Sequence, residues 1–359
     1  MDSIVYYKNN KVFKSGIYSM MKTKMSPRWI VKKLLNDGYI IFYKLLLIVG
    51  LLIFSFGSYA QATESKPIFI VGQDTQSITD YCSYIQKQDK ANDPRYPDGF
   101  MVYMAINDPD SRGLSKLVDH GAGRNYADEL IRAYPTTHII QIGLYMREML
   151  KATAKGNMDQ NITHLGQWIK NSKQDVYLRI GYEFDNPENG YDPTEYVQAY
   201  RHIADRLRAM DLPNLHLVWH TIAWRDKDGP AYEPLKWYPG DQYVDWVGIS
   251  FFDLKEDRER IAAGLLARKL NKPLMIAESS PFKQYSTSEK LRWIRGLFKY
   301  INDYDVRFLS YINVDWDALP MFKDMKWGDA RLQQSNVLMK EWRKGLEQFR
   351  AKSRAYHRR

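Results

Sequence analysis

Residues 176–195 read VYLRIGYEFDNPENGYDPTE and contain a buried strand, a polar turn and a helix start. The run Val176–Ile180 is short and mostly apolar, as expected of a strand that is buried on both faces. Asp192 can cap a helix, Pro193 suits the first helical position, and Glu195 follows three residues after the cap. Apolar residues then recur at helical spacing. The stretch therefore predicts one β-strand followed by one α-helix.

The same alternation of strand and helix patterns repeats along the chain. Seven further runs resemble the first in length and apolar character: Ile68–Val71, Phe100–Ala105, His138–Leu144, Leu215–His220, Trp246–Ser250, Leu274–Ala277 and Phe308–Asn313. The segment before the last run opens with a second capping box, Ser286–Glu289, whereas the segment before Trp246 is long, aromatic and only weakly helical. Eight units predict a single-domain α/β protein, a parallel (β/α)8 TIM barrel with its site where the strands end. A doubly wound open sheet is the alternative, but no glycine-rich phosphate loop follows the first run.

The first 62 residues have the pattern of a targeting segment. Lys44 precedes the apolar run Leu45–Phe56, and small and polar residues end in Ala-Gln-Ala at positions 60–62, so we expect cleavage before Thr63. The leader is long, and Met25 would be a plausible start. An uncleaved anchor is the alternative, because residues 39–42 extend the apolar stretch. We predict export of the protein to the periplasm, the cell surface or the medium, with membrane contact only through an uncleaved leader.

The formal charge of +10 lies at the two ends of the chain. Residues 1–62 carry +7 and residues 350–359 carry +5, which leaves −2 for the segment between them. A nucleic-acid groove through the body is therefore disfavoured. We predict a leader over residues 1–62, a barrel domain over residues 63–348 and a basic tail over residues 349–359.

The cysteine content and the spacing of possible metal ligands predict a domain without disulfide bonds or metal sites. Cys82 is the single cysteine, so no intrachain disulfide can form, and we expect it to be buried as a small apolar residue in the first helix. The chain has no metal-site spacing such as H-E-x-x-H. We predict no metal, no cofactor and a monomer.

Two glutamates stand where predicted strands end. Glu183 follows the fourth run and Glu278 follows the seventh, and these strands lie on opposite sides of an eight-stranded ring. Facing carboxylates suit the cleavage of a glycosidic bond, which needs an acid and a nucleophile or base. Each glutamate alone could equally be a loop acid or a helix cap. Other polar or aromatic residues near strand ends are Asp74, Arg179, Tyr182, His220, Asn313 and Trp316.

Three motifs resemble glycoside hydrolase family 26. The sequence RIGYE at residues 179–183 is similar to the family motif R-x-x-H-E, whose glutamate is the acid/base. The segment WYPGDQYVDWVG at residues 237–248 looks like the segment that enters strand six, and KPLMIAES at residues 272–279 is similar to the nucleophile motif. The resemblance spans roughly residues 66–345. It implies a retaining endo-β-glycanase, with β-mannan the commonest substrate, Glu183 as acid/base and Glu278 as nucleophile; such carboxyl groups stand about 5–5.5 Å apart.

The chain departs from the family pattern at two positions. Tyr182 stands where the family has histidine, and Phe252 stands where a tyrosine hydroxyl holds the nucleophile. Phenylalanine cannot donate a hydrogen bond, so we expect Tyr182 or His220 to supply the missing donor to Glu278. Both are also candidates for substrate binding: Tyr182 can hydrogen-bond the sugar or Glu183, and His220 can orient a substrate hydroxyl, with a satisfied core histidine as the alternative.

The remaining candidates are assigned to substrate binding or to the support of the glutamates. Arg179 can keep a nearby carboxylate ionised or can close the barrel through a buried ion pair. By resemblance, Trp316 forms an apolar floor for the sugar, and packing within its loop is the alternative. Asp74 and Asn313 are further substrate contacts, and Asp185 and Glu188 are interpreted as solvated loop acids.

Two other classes of protein compete with the enzyme. A non-catalytic glycan-binding barrel would explain the two departures, although a binding protein has no need for both glutamates. A membrane-anchored surface protein, whose basic tail contacts an anionic polymer, would explain the charged ends.

Overall fold

The structure is a computed structural model that describes residues 66–88, 93–224, 231–253 and 258–352. The predicted leader, its cleavage site and residues 353–359 of the predicted tail lie outside these ranges. Among the described residues, no helix combines the length and the apolar character that a membrane crossing requires.

Eight parallel strands close into a barrel, which confirms the predicted fold class. They are β1 (Ile68–Gly72), β2 (Gly99–Ala105), β3 (Ile139–Tyr145), β4 (Asp175–Ile180), β5 (Leu215–Thr221), β6 (Trp246–Phe251), β7 (Leu274–Ser279) and β8 (Phe308–Ile312). Each strand pairs with the next along the chain, and β8 pairs with β1 to close the ring. The predicted runs differ from these bounds by only one or two residues, because both faces of each strand are buried and the apolar run therefore coincides with the strand.

Helices follow seven of the eight strands in the described part of the chain. They are α1 (Thr75–Gln86), α2 (Ala127–Ala133), α3 (Leu150–Ala154), α4 (Asp159–Ser172), α5 (Pro193–Arg208), α6 (Arg258–Lys269), α7 (Thr287–Asp303) and α8 (Asn336–Ala351). The Asp192 side chain caps α5 and Ser286 forms a capping box with Glu289 on α7, as predicted. Between β5 and β6 the described residues form only two 3-10 turns, Pro234–Trp237 and Asp241–Tyr243, in agreement with the weak helical signal there.

Two apolar clusters stabilise the barrel. The smaller one fills its interior with alternate residues of the strands, such as Ile70, Met101, Val218 and Phe308. The larger one joins the outer faces of the strands to the helices, and Cys82 of α1 is fully buried in it, as predicted. Burial raises the pKa of the Cys82 thiol to about 12. The thiol is therefore protonated and unreactive, a packing residue rather than a nucleophile.

The last helix continues beyond the predicted end of the domain at residue 348. Helix α8 ends at Ala351, and Arg350 forms an ion pair with Asp98 at 3.0 Å and donates to the carbonyl of Pro94 at 2.8 Å. The first residues assigned to the tail are thus part of the barrel domain. These residues were assigned to the tail because they are basic. The sequence of this segment alone does not show that Arg350 pairs with a distant residue of the barrel.

Candidate active site

A β-bulge in β7 turns Glu278 toward the inside of the barrel. Gly248 pairs with Met275 and Ile249 with Ile276, but Ser250 pairs with Glu278, so Ala277 is an extra residue. Such a bulge changes the face to which the following side chain points. The Ala277 carbonyl accepts a hydrogen bond from the Gln141 amide at 2.8 Å. This buried bond satisfies the backbone group of the extra residue.

Glu278 is held by two donors on other strands. Its Oε1 accepts from the Arg179 guanidinium in a buried ion pair and from the Tyr103 hydroxyl at 3.0 Å. Burial and the charge of Glu278 keep the pKa of Tyr103 well above its usual value, so this hydroxyl stays a donor. The expectation that Tyr182 or His220 would replace the hydroxyl missing at Phe252 was wrong. Tyr103 supplies it from β2.

Arg179 is fully buried beneath two tyrosine rings. Its guanidinium carbon lies 5.2 Å from the centre of the Tyr103 ring and 5.1 Å from that of Tyr182, distances typical of cation–π contacts. The facing residue on β3 is Gly143, where a Cβ would come within 2.8 Å of the guanidinium and 2.6 Å of the Tyr103 ring. The absence of a side chain at Gly143 therefore makes room for the group that holds Glu278.

Glu183 lies in a strained turn after β4. Gly181 has a φ of +57° and Glu183 a φ of +50°, a region that side-chain-bearing residues seldom occupy. The Asn189 amide donates to the carbonyls of both Tyr182 and Glu183, which keeps the turn in place. Backbone strain of this kind collects at functional sites, where it aims a side chain.

The Glu183 carboxylate accepts one hydrogen bond on each oxygen. The Ser250 hydroxyl donates to Oε1 at 2.6 Å and the Asn186 amide donates to Oε2 at 3.0 Å. Burial and the negative charge of Glu278 raise the pKa of Glu183 to about 7, although both hydrogen bonds lower it. Glu183 can therefore carry a proton near neutral pH, whereas Glu278 is paired with a permanent cation.

His220 is a fully buried residue that connects the surroundings of the two glutamates. Its Nδ1 lies 3.3 Å from Arg179 Nη1 and its Nε2 lies 3.0 Å from Ser250 Oγ. Burial and the charge of Arg179 lower the pKa of His220 well below its usual value, so the ring is neutral. His220 contacts neither glutamate directly.

An aromatic pocket opens beside Glu183. It has a volume of about 220 Å³, and Phe252, Phe282, Trp224 and Trp327 are among its lining residues. Trp316 is almost fully buried, donates to the Ser280 hydroxyl at 3.1 Å and contacts the Trp327 ring. The floor predicted for Trp316 remains a prediction. Trp327 provides aromatic surface to the pocket.

Three polar candidates have structural contacts that the sequence did not reveal. Asp74 caps α1 by accepting from the backbone of Gln76 and Ser77, and Asn313 accepts from the Leu332 amide at 3.0 Å. Asp185 was interpreted as a solvated loop acid but accepts from the Thr221 hydroxyl at 2.6 Å, and burial raises its pKa to about 6. Sugar binding by Asp74 and Asn313 stays a prediction.

The structure adds four residues to the site. Tyr103, Gln141, Asn186 and Ser250 contact a glutamate or its bulge, and sequence reasoning selected none of them. The sequence could have indicated Gln141, because it is a polar residue within an otherwise apolar strand. Among the described residues, no cluster of His, Cys, Asp and Glu has the arrangement of a metal site.

A closed parallel barrel with one buried glutamate after β4 and another at the carboxyl end of β7 defines a class of (β/α)8 protein whose candidate site lies where the strands end. Residues 181–308 match the model of Glycosyl hydrolase family 26. A β-1,3-xylanase from an Alcaligenes species is 32% identical over 308 aligned residues, which cover 77% of this chain and 62% of that protein. The β-1,3-xylanase TXYA from a Vibrio species is 33% identical over 307 residues, which cover 77% and 64%. The chain is therefore similar to glycoside hydrolase family 26.

A solved structure of a family 26 β-mannanase from Bacteroides ovatus shares the fold. Its TM-score is 0.55 at 14% identity, and the match covers 82% of this chain and 90% of that one. The alignments with the two xylanases span less than two thirds of the length of those proteins.

Proposed function

We propose that this protein is a retaining glycoside hydrolase that cleaves β-linked polysaccharide, with β-1,3-xylan as its first candidate substrate. The observation that carries the proposal is the contrast between the two glutamates. Glu278 accepts from a buried arginine and a tyrosine, as suits an anionic nucleophile. Burial raises the pKa of Glu183 to about 7, as suits an acid that must also act as a base.

The proposed chemistry has two steps. Glu278 attacks the anomeric carbon, the bond to the departing glycan breaks, and the oxygen of that glycan takes the proton of Glu183. Glu183 then removes a proton from water, whose oxygen attacks the anomeric carbon and releases Glu278. Arg179 and Tyr103 keep the nucleophile in place during both steps.

The choice of substrate follows sequence similarity. The two curated relatives at 32% and 33% identity are named β-1,3-xylanases. The mannanase structure at 14% identity supports the fold alone, so β-mannan is the second glycan to test. A polysaccharide substrate of this size lies outside the cell, and the predicted leader would export the enzyme to it.

The test is the release of reducing sugar from β-1,3-xylan, β-1,4-xylan, β-mannan and β-1,3-glucan by the wild-type protein and by Glu278→Ala. We expect activity on at least one glycan and a loss of several orders of magnitude in the variant. Azide should rescue the variant on an activated aryl glycoside and give a glycosyl azide of inverted configuration. Glu347→Ala, on the exposed face of α8, is the matched control and should keep full activity.

A wild-type protein that binds these glycans but cleaves none would instead be a glycan-binding barrel. A Glu278→Ala variant that keeps more than a tenth of the wild-type rate would overturn the assignment of the nucleophile.

A further inference from the structure

A continuous series of hydrogen bonds connects Arg179 to Glu183 through the barrel interior. Arg179 contacts His220 Nδ1, His220 Nε2 contacts Ser250 Oγ, and Ser250 Oγ contacts Glu183 Oε1 at 2.6 Å. The four residues lie at β4, β5, β6 and the turn after β4. Arg179, His220 and Ser250 are all at most 2% exposed, so water does not compete for these bonds.

Each bond in the series has one permitted direction. Arginine is only a donor, so the neutral His220 ring must accept at Nδ1 and carry its proton on Nε2. That proton points to Ser250 Oγ. The proton of the Ser250 hydroxyl is then left to point at Glu183, so Oε1 of Glu183 is the acceptor.

The other oxygen of Glu183 has a looser partner. Asn186 Oδ1 accepts from the backbone amide of Glu188 at 3.1 Å, which orients Nδ2 toward Glu183 Oε2. This bond is 3.0 Å long, and Asn186 is partly exposed and lines the pocket. Water or substrate can replace it, whereas nothing can replace the buried Ser250 bond.

We propose, given the acid/base role of Glu183 under the proposed function, that His220 and Ser250 are positioning residues that keep Oε1 an acceptor and thereby assign the transferable proton to Oε2. If the proton were on Oε1, the Ser250 hydroxyl would have to turn away, and its own proton would lose its partner in a buried site. The site thus presents the acid proton from one defined oxygen, on the side of Glu183 that Asn186 shares with the pocket.

Other titratable and charged groups around Glu183 also affect its pKa, and substitutions at Ser250 and His220 leave these groups in place. Glu278 and Arg179 lie inside the barrel, and Tyr182 and Tyr191 flank the turn. Glu188, Asp253 and Arg260 line the same pocket.

The test measures the pKa of Glu183 by NMR titration of protein labelled with 13C at glutamate carboxyl carbons, with Glu183→Gln to assign its signal. Ser250→Ala should raise this pKa by about one to two units, the equivalent of one lost hydrogen bond to a charged group. Ser250→Thr keeps the hydroxyl and should stay within about half a unit of wild type. His220→Leu leaves Ser250 free to accept from protonated Glu183 and should shift the pKa upward as well.

Two further variants serve as controls for the titration. Thr137→Val removes a buried hydroxyl that bonds the Tyr134 carbonyl before β3, and it should leave the pKa of Glu183 unchanged. His220→Gln keeps one donor and one acceptor, so it covers the case in which His220→Leu fails to fold; its pKa should stay near that of wild type. An unchanged pKa in Ser250→Ala would overturn the proposal, as would a shift no larger than that of Thr137→Val.

The titration needs no substrate, so its outcome is separate from that of the proposed function. In an active enzyme, the alkaline limb of the kcat/KM profile should move upward with the measured pKa in Ser250→Ala. A moved pKa in a protein that cleaves no glycan would support the hydrogen-bond series and contradict the glycosidase. If the wild type cleaves a glycan but the pKa of Glu183 is unchanged in Ser250→Ala, the glycosidase would be supported and the hydrogen-bond series contradicted.

Discussion

At the scale of single residues, the site depends on where donors lie in space rather than where they lie in the chain. Phe252 lacks the hydroxyl that the family resemblance places at the end of strand six, yet Glu278 still accepts from a tyrosine. Tyr103 reaches it from β2, 175 residues away along the chain. A buried carboxylate needs such donors because an unpaired buried charge is costly, and the barrel interior offers several strands that can provide one.

Tyr103→Phe should lower turnover substantially. Loss of one hydrogen bond to a charged group costs roughly 1.5–3 kcal/mol, or about 10–150-fold in rate if the bond acts in the transition state. Tyr182→Phe is the comparison, because Tyr182 contacts Arg179 through its ring, which phenylalanine keeps. Turnover of both variants on the best substrate checks the prediction, and equal losses would contradict the role given to Tyr103.

Glu183→Ala should affect substrates according to their leaving groups. A poor leaving group needs its oxygen protonated, whereas an activated aryl glycoside does not. We therefore expect a loss of about 100-fold or more on the polysaccharide and a far smaller loss in the glycosylation of the aryl glycoside. Pre-steady-state rates on both substrates measure this difference, and similar losses would argue against Glu183 as the acid.

At the scale of elements, the sequence predicted what local patterns determine. Strand bounds agreed closely because each strand is an apolar run, and the caps of α5 and α7 agreed because a cap needs only four adjacent residues. The bulge in β7 could not be predicted, since it depends on register against β6 and on Gln141 from β3. The helix cap formed by Asp74 was missed for a related reason: an acid after a strand can bind a ligand or cap the next helix, and its own segment does not show which contacts it makes.

The bulge gives a prediction for Gln141. Gln141→Met keeps the side-chain volume but leaves the Ala277 carbonyl without its donor, which should destabilise the fold by about 1–3 kcal/mol. Because the bulge aims Glu278, kcat should fall more than KM changes. The control is Ser310→Ala, which removes the Ser310 bond to Gln141 Oε1 but leaves the bulge bond intact. Urea unfolding and steady-state kinetics should show the smaller effect in Ser310→Ala; the opposite order would contradict the role of Gln141.

At the scale of the whole molecule, the proposed acid/base should make the protein less stable as pH rises. In the unfolded chain Glu183 ionises near pH 4.5, but in the folded protein it stays protonated until about pH 7, because burial and Glu278 oppose its charge. Below pH 4.5 both states are protonated and no cost arises. Between pH 4.5 and 7 the unfolded state loses its proton first, so folding stability falls, by on the order of 3 kcal/mol once both states are ionised.

Glu183→Gln should remove this pH-dependent loss. The glutamine has no proton to lose, so the free energy of unfolding of the variant should increase relative to wild type as pH rises from 4.5 to 7, and the difference should level off above that range. Urea unfolding of both proteins at about pH 4, 5.5 and 8 would measure it, with Glu347→Gln on the exposed face of α8 as the surface control. A difference between Glu183→Gln and wild type that does not change with pH would mean that Glu183 ionises alike in both states, and the barrel would then lack an acid whose pKa is adapted to neutral pH.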